Sequence, residues 1–354
     1  MGFLGDKDMI MIHVFIASTR FILLLLILIY IRTTSFIMAR QFGDWISRRQ
    51  PRWLAIDAGL AGELLAVSVE AQTGCAPVVL KARSLTSDAW SVTGLGDLLA
   101  EWPTDVPCVA VLPRGDYQLV QVNKPPVPAS ELARSVLWSA GTLVDFPVEL
   151  ATCEVLAIPS PAGAGASATD LLTYVVLAPH MHLQPAQNAF GQAKRRLDAI
   201  DIRETAQRNI AVLFERDDEC LCMLRFTQTG IQLTFTHRGD LYLDRFIAQP
   251  IGPLLSDNDF ERQHAIERIG QQVNLSIRLL REQQSTLNVR RVLLAPTTTE
   301  VLLADALSAQ IGLPVETADL SQVLDMAHTP DLRSAAEQAR FFVALGAALR
   351  GQTI

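Results

Sequence analysis

The chain has 354 residues, of which 49% are hydrophobic, and its formal net charge at pH 7 is −7. This length is sufficient for two domains or for two lobes around a cleft. The acidic balance argues against a dedicated nucleic-acid binder. The chain contains 5 cysteines and no C-x-x-C pair, which indicates reduced thiols in the cytoplasm rather than a disulfide framework.

An almost continuous apolar segment runs from Met9 to Ile31. It is long enough to cross a bilayer, although Arg20 near its middle is costly there. A signal peptide would carry positive charge before the apolar run, whereas here the arginines follow it, so the positive-inside rule keeps the remainder in the cytoplasm. Alternatively, translation begins at Met38. The segment is therefore interpreted as a membrane anchor or as a start-site artefact.

A β-hairpin is predicted at residues 53–69, which read WLAIDAGLAGELLAVSV. An apolar strand ends at Asp57-x-Gly59, small residues form the turn, and a second alternating strand follows. The pattern resembles the hairpin that opens actin-like ATPase folds, where the aspartate faces Mg-ATP and the turn backbone approaches the phosphates. Asp57 and Gly59 are therefore the candidate nucleotide-binding residues.

A small module is predicted at about Arg114 to His182, inserted in the first half of the chain. Its parts are a strand at 118–122, a helix that begins after Ser130, a strand at 152–158, a loop at 159–169 and a strand at 171–178. The residues 180–182, two histidines around Met181, are expected in an exposed turn rather than in a metal site, because no cysteine or carboxylate nearby completes a ligand set. An amphipathic helix is predicted over Gln187–Ile200.

A second lobe is predicted to open near residues 210–214 and to repeat loosely the order of strands and helices of the first. The patterns predict strands at 220–226, 231–236 and 291–295, and helices at 266–280, 301–310 and 341–350.

Seven segments together resemble the PilM-like, actin-like cytoplasmic proteins of type IV pilus assembly, especially their MshI branch from mannose-sensitive haemagglutinin (MSHA) pilus biogenesis. The segments are 54–59, 109–114, 131–138, 146–147, 197–206, 238–245 and 342–350. The resemblance implies an actin-like α/β fold of two ribonuclease-H-like lobes, 38–206 and 207–354, with the small strand–helix–strand–strand module inserted in the first. Residues 1–37 lie outside it as an apolar N-terminal extension.

The resemblance also implies a function. Members of this family act as scaffolds on the cytoplasmic face of the inner membrane, as part of the pilus assembly complex there. They bind the N-terminal tail of a single-span PilN-like partner, here an MshJ-like protein, and members with intact loops bind ATP. The chain would lie at the membrane peripherally or be anchored by Met9–Ile31.

The loops of this chain depart from the ATP-binding pattern. The first phosphate loop offers residues 60–64, LAGEL, without the usual hydroxyls and lysine, and Glu63 adds a negative charge that repels phosphate. The second loop is expected at 214–219, which is acidic and has no glycine, and the late nucleoside turn is replaced by 295–299. We therefore expect no cofactor and no enzymatic activity, with an actin-like ATP-binding protein or ATPase as the alternative.

A partner groove is expected on the inserted module. The prolines at 125–128 lie beside a helix whose Val136, Leu137 and Trp138 are followed by Phe146. An extended peptide there would pair with a strand edge and bury alternate side chains. Trp138 is the preferred anchor because large aromatics dominate small interfaces, with a role in the core as the alternative.

Overall fold

The computed structural model describes residues 52–59, 62–71, 74–159, 172–216, 218–297 and 302–351. The segment Met9–Ile31, the alternative start at Met38 and the loop at 160–171 lie outside these ranges. Within them, no helix has both the length and the apolar character needed to cross a membrane.

Thirteen strands and seven α-helices are described. The strands are β1 (Arg52–Asp57), β2 (Glu63–Glu70), β3 (Val78–Thr86), β4 (Cys108–Val111), β5 (Gln118–Asn123), β6 (Ala151–Ala157), β7 (Leu172–Pro179), β8 (Leu197–Asp201), β9 (Cys220–Phe226), β10 (Ile231–His237), β11 (Asp240–Ile247), β12 (Val289–Leu294) and β13 (Val315–Thr317). The helices are α1 (Val92–Leu99), α2 (Ala129–Ala140), α3 (His180–Gln192), α4 (Arg203–Leu213), α5 (Asp259–Gln283), α6 (Leu302–Ile311) and α7 (Ala335–Ala348).

The first lobe is built on a sheet with the order β3-β2-β1-β4-β8. The strands β1, β2 and β3 are antiparallel, whereas β4 and β8 run parallel to β1. Alternate residues such as Leu54 and Ile56 face a core that α1 and α3 complete through Leu95, Leu98 and Phe190. Helix α7 packs on the opposite face of the sheet.

The second lobe repeats this arrangement with the order β11-β10-β9-β12-β13. Three antiparallel strands are again followed by two parallel ones. One face packs against α5 and α6, and the five positions that predicted an amphipathic α5 are all buried: Ile266, Ile269, Val273, Ile277 and Leu280. Helix α4 packs on the other face and also against α7. The two equivalent sheets confirm the fold of two ribonuclease-H-like lobes.

The inserted module forms a third sheet, β5-β7-β6, which is antiparallel and carries α2 on one face. Its other face touches the second lobe, because Ile158 and Tyr174 belong to the second lobe's core. Three further residues of the module, Leu119, Leu156 and Leu172, pack against that core. The predicted strand–helix–strand–strand insertion is confirmed, and it joins the two lobes.

The helix predicted over Gln187–Ile200 is wrong in its second half. Helix α3 ends at Gln192, Lys194 takes a left-handed φ of 53°, and the chain then enters β8. The spacing of Phe190, Ala193 and Leu197 matched a helical period, yet pairing of β8 with β4 decides the conformation after the turn. The residues 180–182 form the first turn of α3 rather than a loop.

The predicted opening of the second lobe, near residues 210–214, falls at the end of a helix. Residues 210–214 belong to the end of α4, and the sheet of the second lobe begins at Cys220. The apolar run there is the buried side of a helix, since Ile210 and Ala211 are fully buried.

Candidate functional site

The carboxyl ends of three parallel strands meet at one edge of the first sheet. Asp57 pairs in register with Val111, and Val111 with Asp201, so the last residues of β1, β4 and β8 lie side by side. In α/β sheets this edge is where ligands bind. Asp57 therefore lies at the position expected of a nucleotide-site aspartate.

Asp57 is paired within the chain. Its Oδ1 accepts a hydrogen bond from Nη2 of Arg203 at 2.8 Å, and both side chains are at least nine-tenths buried. Burial raises the pKa of Asp57, while the charges of Arg203 and Arg225 oppose the rise. Burial and the neighbouring Arg203 lower the pKa of Arg225 to about 10, so its guanidinium stays protonated near neutral pH.

The β1–β2 hairpin is tight and is fastened to α7. A Cβ on Gly59 would lie 2.8 Å from the carbonyl oxygen of Glu63, so the turn requires glycine there. Glu63 accepts two hydrogen bonds from Arg340, at 2.7 and 3.1 Å, and is therefore already neutralised. Leu60 and Ala61 lie outside the described residues.

The second phosphate loop does not lie at 214–219 as expected. By strand order, the counterpart of the β1–β2 turn is the β9–β10 turn at 227–230, where the Thr227 hydroxyl bonds Gly230. The acidic run before β9 is structural, because the buried Glu219 pairs with Arg291 at 2.8 Å. The sequence alone misplaced this loop, because locating it requires the structural equivalence of β9 with β1.

The third expected loop follows β12. Ala295 continues the sheet by donating its N–H to Leu224 at 2.8 Å. Thr298 and Thr299 lie outside the described residues.

Helix α4 fills the space between the lobes with bonded polar side chains. Glu204 accepts from Arg114 at 2.9 Å and from the Tyr117 hydroxyl. Gln207 donates to the carbonyl of Met223 at 3.1 Å and accepts from Nε of Arg225 at 3.1 Å.

The remaining polar groups of α4 bond in the same way. Asn209 donates to the carbonyl of Gly346 at 2.9 Å, and Thr205 donates to Asp201. Asp201 also pairs with Arg350 at 2.9 Å. Because buried polar groups are costly unless bonded, this network specifies one arrangement of the lobes. The polar sequence RETAQRN of α4 was the available signal, and sequence reasoning missed it.

Metal binding has no candidate among the residues that the structure describes, because no group of three or more His, Cys, Asp or Glu side chains could hold an ion there.

The module offers a different surface. Trp138 is 73% exposed, and the same stretch contains Leu143 and Leu150, which are 54% and 62% exposed. Leu137 and Phe146 are half-buried against the module's core. Val136 is fully buried in that core, so its contribution is to hold α2 on the sheet.

The outer strands of the module are available for pairing. In the sheet β5-β7-β6, both β5 and β6 bond only to β7 among the described residues. Open edges of this kind are where an added strand binds. Apolar side chains and open edges thus occur on the same module.

Comparisons with known proteins concern the fold. A scan against protein-family models matches nothing, and no curated protein matches. A chain of the solved PilM–PilN type IV pilus biogenesis complex is 18% identical with a TM-score of 0.65, over 86% of this chain and 99% of that chain. The cytoplasmic domain of EpsL, an inner-membrane component of the type II secretion system of Vibrio cholerae, is 12% identical with a TM-score of 0.42, over 73% of this chain and 94% of that one.

A third similar structure is a Bacteroides thetaiotaomicron protein with an actin-like ATPase fold and unknown function, 9% identical with a TM-score of 0.43, over 79% of this chain and 95% of that one. Of the three, only the first is close enough to carry an argument, and at its identity that argument concerns the fold. The duplicated sheets, the inserted module and this match agree. The chain has a PilM-like, actin-like fold.

Proposed function

We propose that the protein is a non-enzymatic scaffold of type IV pilus biogenesis that binds the N-terminal tail of a PilN-like membrane protein. The observation that carries the proposal is that two carboxylates of the cleft are bound to arginines of the same chain. Asp57 and Glu63, which would face a nucleotide, are paired with Arg203 and Arg340. The fold match to a chain of a complex named for PilM and PilN supports the choice of partner.

The alternative is an actin-like ATPase, which requires a free aspartate and an open phosphate loop. An aspartate must be free to act toward Mg²⁺, and backbone N–H groups must approach the phosphates. Here the carboxylate of Asp57 already has a guanidinium partner in a buried site. Opening that pair would remove the hydrogen-bonded counterion from a buried carboxylate.

The partner surface that we propose is the module helix α2 with the loop that follows it. Trp138 supplies an exposed aromatic anchor, Phe146 lies half-buried beside the core, and Leu137 extends the apolar strip. A tail in extended form would pair with an open edge of the module's sheet while its apolar side chains contact this strip.

Tail capture tests the proposal directly. A labelled peptide with the N-terminal sequence of a PilN-like protein is titrated with the full chain and with Trp138→Ala and Phe146→Ala. We expect each substitution to weaken capture by about 1 kcal/mol or more, which is roughly fivefold in Kd.

The matched control is Phe260→Ala, because Phe260 is an aromatic of 79% exposure on the second lobe and should not affect capture. Circular dichroism must show all variants folded. Equal capture by both module variants would place the tail elsewhere, and absence of capture by the parent would remove the scaffold proposal.

The finer parts of the proposal concern the system and the location. We propose an MSHA-type pilus with an MshJ-like single-span partner, and a place on the cytoplasmic face of the inner membrane, peripheral or anchored by Met9–Ile31. Peptides from MSHA-type and other PilN-like tails, compared in the same titration, test the first part. Tighter binding of a tail from another system would contradict it.

A further inference from the structure

Five polar side chains meet where the inserted module contacts both lobes. Arg114 follows β4 of the first lobe, Gln232 and Asp244 lie on β10 and β11 of the second lobe, and Tyr174 lies on β7 of the module. Glu204 lies in the first turn of α4. These five residues are here called the junction cluster, and each part of the fold contributes at least one of them.

The contacts of the junction cluster form one continuous line. Glu204 accepts a hydrogen bond from Arg114 at 2.9 Å, and Arg114 also donates to Oε1 of Gln232. Nε2 of Gln232 donates to Asp244, whose backbone N–H donates to the Tyr174 hydroxyl at 2.7 Å. The line therefore connects α4 to the sheet of the second lobe and to the module.

The buried amide of Gln232 fixes what Asp244 receives. Arg114 can only donate, so the oxygen of the Gln232 amide must face Arg114 and its nitrogen must face Asp244. Asp244 accordingly accepts a hydrogen bond from an uncharged group, and no ion pair joins it to another described residue. The guanidinium of Arg114 bonds to Glu204 and lies 3.8 Å from the ring centroid of Phe246. The cation of the cluster is thus paired with Glu204 rather than with Asp244.

The other titratable groups near the two carboxyls have partners of their own or stay neutral. They are Tyr117 after β4, Tyr174 on β7, Arg203 on α4, Arg225 on β9 and Arg245 on β11. Burial raises the pKa of both tyrosine hydroxyls, so they stay neutral. The three arginines bond to Asp57, Gln207 and Ser276, in that order.

These surroundings favour a protonated Asp244. Burial and the negative charge of Glu204 raise the pKa of Asp244 well above its ordinary value, whereas the charge of Arg114 and the hydrogen bond from Gln232 oppose the rise. Asp244 is partly rather than fully buried, so its carboxyl can exchange a proton with solvent.

We propose that the junction cluster is a proton-dependent joint, which is closed while the Asp244 carboxyl is protonated and loosens when that carboxyl ionises. Ionisation adds a second negative charge to a cluster that contains one guanidinium, that of Arg114. The repulsion acts between Glu204 on α4 and Asp244 on β11, so it opposes the line of hydrogen bonds that connects these elements. The module loosens with them, because Tyr174 bonds to the backbone of Asp244.

The direction of the pH effect follows from the raised pKa of Asp244. In the unfolded chain this carboxyl ionises in the ordinary range of aspartates, so between that range and the raised pKa the folded protein binds the additional proton. The contribution of Asp244 to stability is therefore fully present at low pH, and it is lost as the pH rises through the pKa of the folded protein.

Stability measured against pH tests the proposal. Urea denaturation of the full chain and of Asp244→Asn is followed between about pH 5 and about pH 9. Asparagine keeps the size of the side chain and the oxygen that accepts from Gln232, and it is neutral at every pH. We expect the variant to gain stability relative to the parent as the pH rises, by up to about tenfold in the unfolding equilibrium constant per pH unit. The matched control is Asp257→Asn, which changes an exposed aspartate of the second lobe and should follow the parent.

Two further measurements separate protonation from loosening. The infrared difference spectrum between the parent and Asp244→Asn should contain the C=O stretch of a protonated carboxyl group, present in the parent at the lower pH and lost at the higher. Amide hydrogen exchange of the peptide 240–247, compared at one alkaline pH, should be faster in the parent than in Asp244→Asn.

Three outcomes would overturn the proposal. Parallel stability profiles of the parent and Asp244→Asn, or a difference spectrum without the protonated band, would mean that Asp244 holds no proton. Equal hydrogen exchange would mean that its ionisation does not loosen the joint. If Asp244→Asn does not fold, Glu204→Gln decides instead. It removes the negative charge beside Asp244 and should move the loss of stability to lower pH, so a loss at unchanged pH would also contradict the proposal.

Discussion

The interlobe cleft and the surface of the inserted module differ in how their side chains are satisfied. In the cleft, polar and charged groups are buried and bonded to one another, as Asp57 is to Arg203. On the module, Trp138, Leu143 and Leu150 are apolar and exposed. A surface whose groups already have partners is poor at binding a ligand, whereas exposed apolar side chains gain by being covered.

The difference shows which of the two regions has side chains free to contact a partner. The cleft contributes rigidity, because α4 bonds to both sheets and to α7. The module contributes an accessible surface on a rigid support. Substitutions that weaken the cleft test whether it provides rigidity. Substitutions on the module that affect either stability or binding test whether its surface is the binding surface.

The largest expected effect comes from breaking the buried pair. Arg203→Ala leaves the Asp57 carboxylate buried without its partner and should lower the free energy of unfolding by about 3 kcal/mol, measured by urea denaturation. The double variant Asp57→Leu with Arg203→Met should recover much of the loss, because apolar side chains of similar size often replace a buried pair without cost.

The control for this prediction is Arg216→Ala. Arg216 is 63% exposed, and its partner Glu316 keeps a second arginine, Arg291. The expected loss is below about 1 kcal/mol. Equal losses for Arg203→Ala and Arg216→Ala would mean that the cleft is not held by its internal pairs.

The next largest loss of stability is expected from a substitution at the close contact between α4 and α7. A Cβ on Gly346 would lie 2.1 Å from the carbonyl oxygen of Ala206, so Gly346→Ala should separate the helices and cost about 1–3 kcal/mol. Gly96 in α1 is the matched control, because nothing lies within 4 Å of its added Cβ. Gly96→Ala should instead stabilise by about 0.5–1 kcal/mol. Equal thermal shifts in the same direction would contradict the close crossing.

Two neighbouring positions on α2 separate packing from binding. Val136→Ala removes fully buried methyl groups and should cost about 1.5 kcal/mol in chemical denaturation. Trp138→Ala should leave stability within about 0.5 kcal/mol, since surface substitutions usually do. A large loss of stability in Trp138→Ala would assign this tryptophan to the core.

The smallest expected effect is that of added nucleotide, which should not change the stability of the protein. ATP with magnesium at a few hundred micromolar should leave the melting temperature of the protein unchanged, because Asp57 and Glu63 are already paired. A site with low-micromolar Kd would add about 2.7 kcal/mol at a free ATP concentration of about 100 times Kd. A shift of that size would restore the ATPase alternative to first place.

Sequence reasoning reached the architecture because its signals are local. The alternation around Asp57, the period of α5 and the glycine turns at Gly230 and Gly239 each report their own element. It placed the second phosphate loop at 214–219 rather than at the β9–β10 turn, because the equivalence of β9 with β1 is recognised only once both sheets are formed. The same limit produced the helix prediction over Gln187–Ile200, where β8 is decided by its partner strand.

The sequence by itself determined the strand and helix order, the inserted module and the absence of hydroxyl and lysine groups in the first turn. Only the tertiary structure decided which side chains pair with Asp57 and Glu63. Arg203, Arg225 and Arg340 are far from Asp57 and Glu63 along the chain, and their charges meet there only when the lobes pack around α4 and α7. Local patterns specify helices and strands, whereas long-range packing sets the partners of buried charges. A desolvated charge is costly unless the fold brings an opposite charge or a hydrogen-bond partner to it.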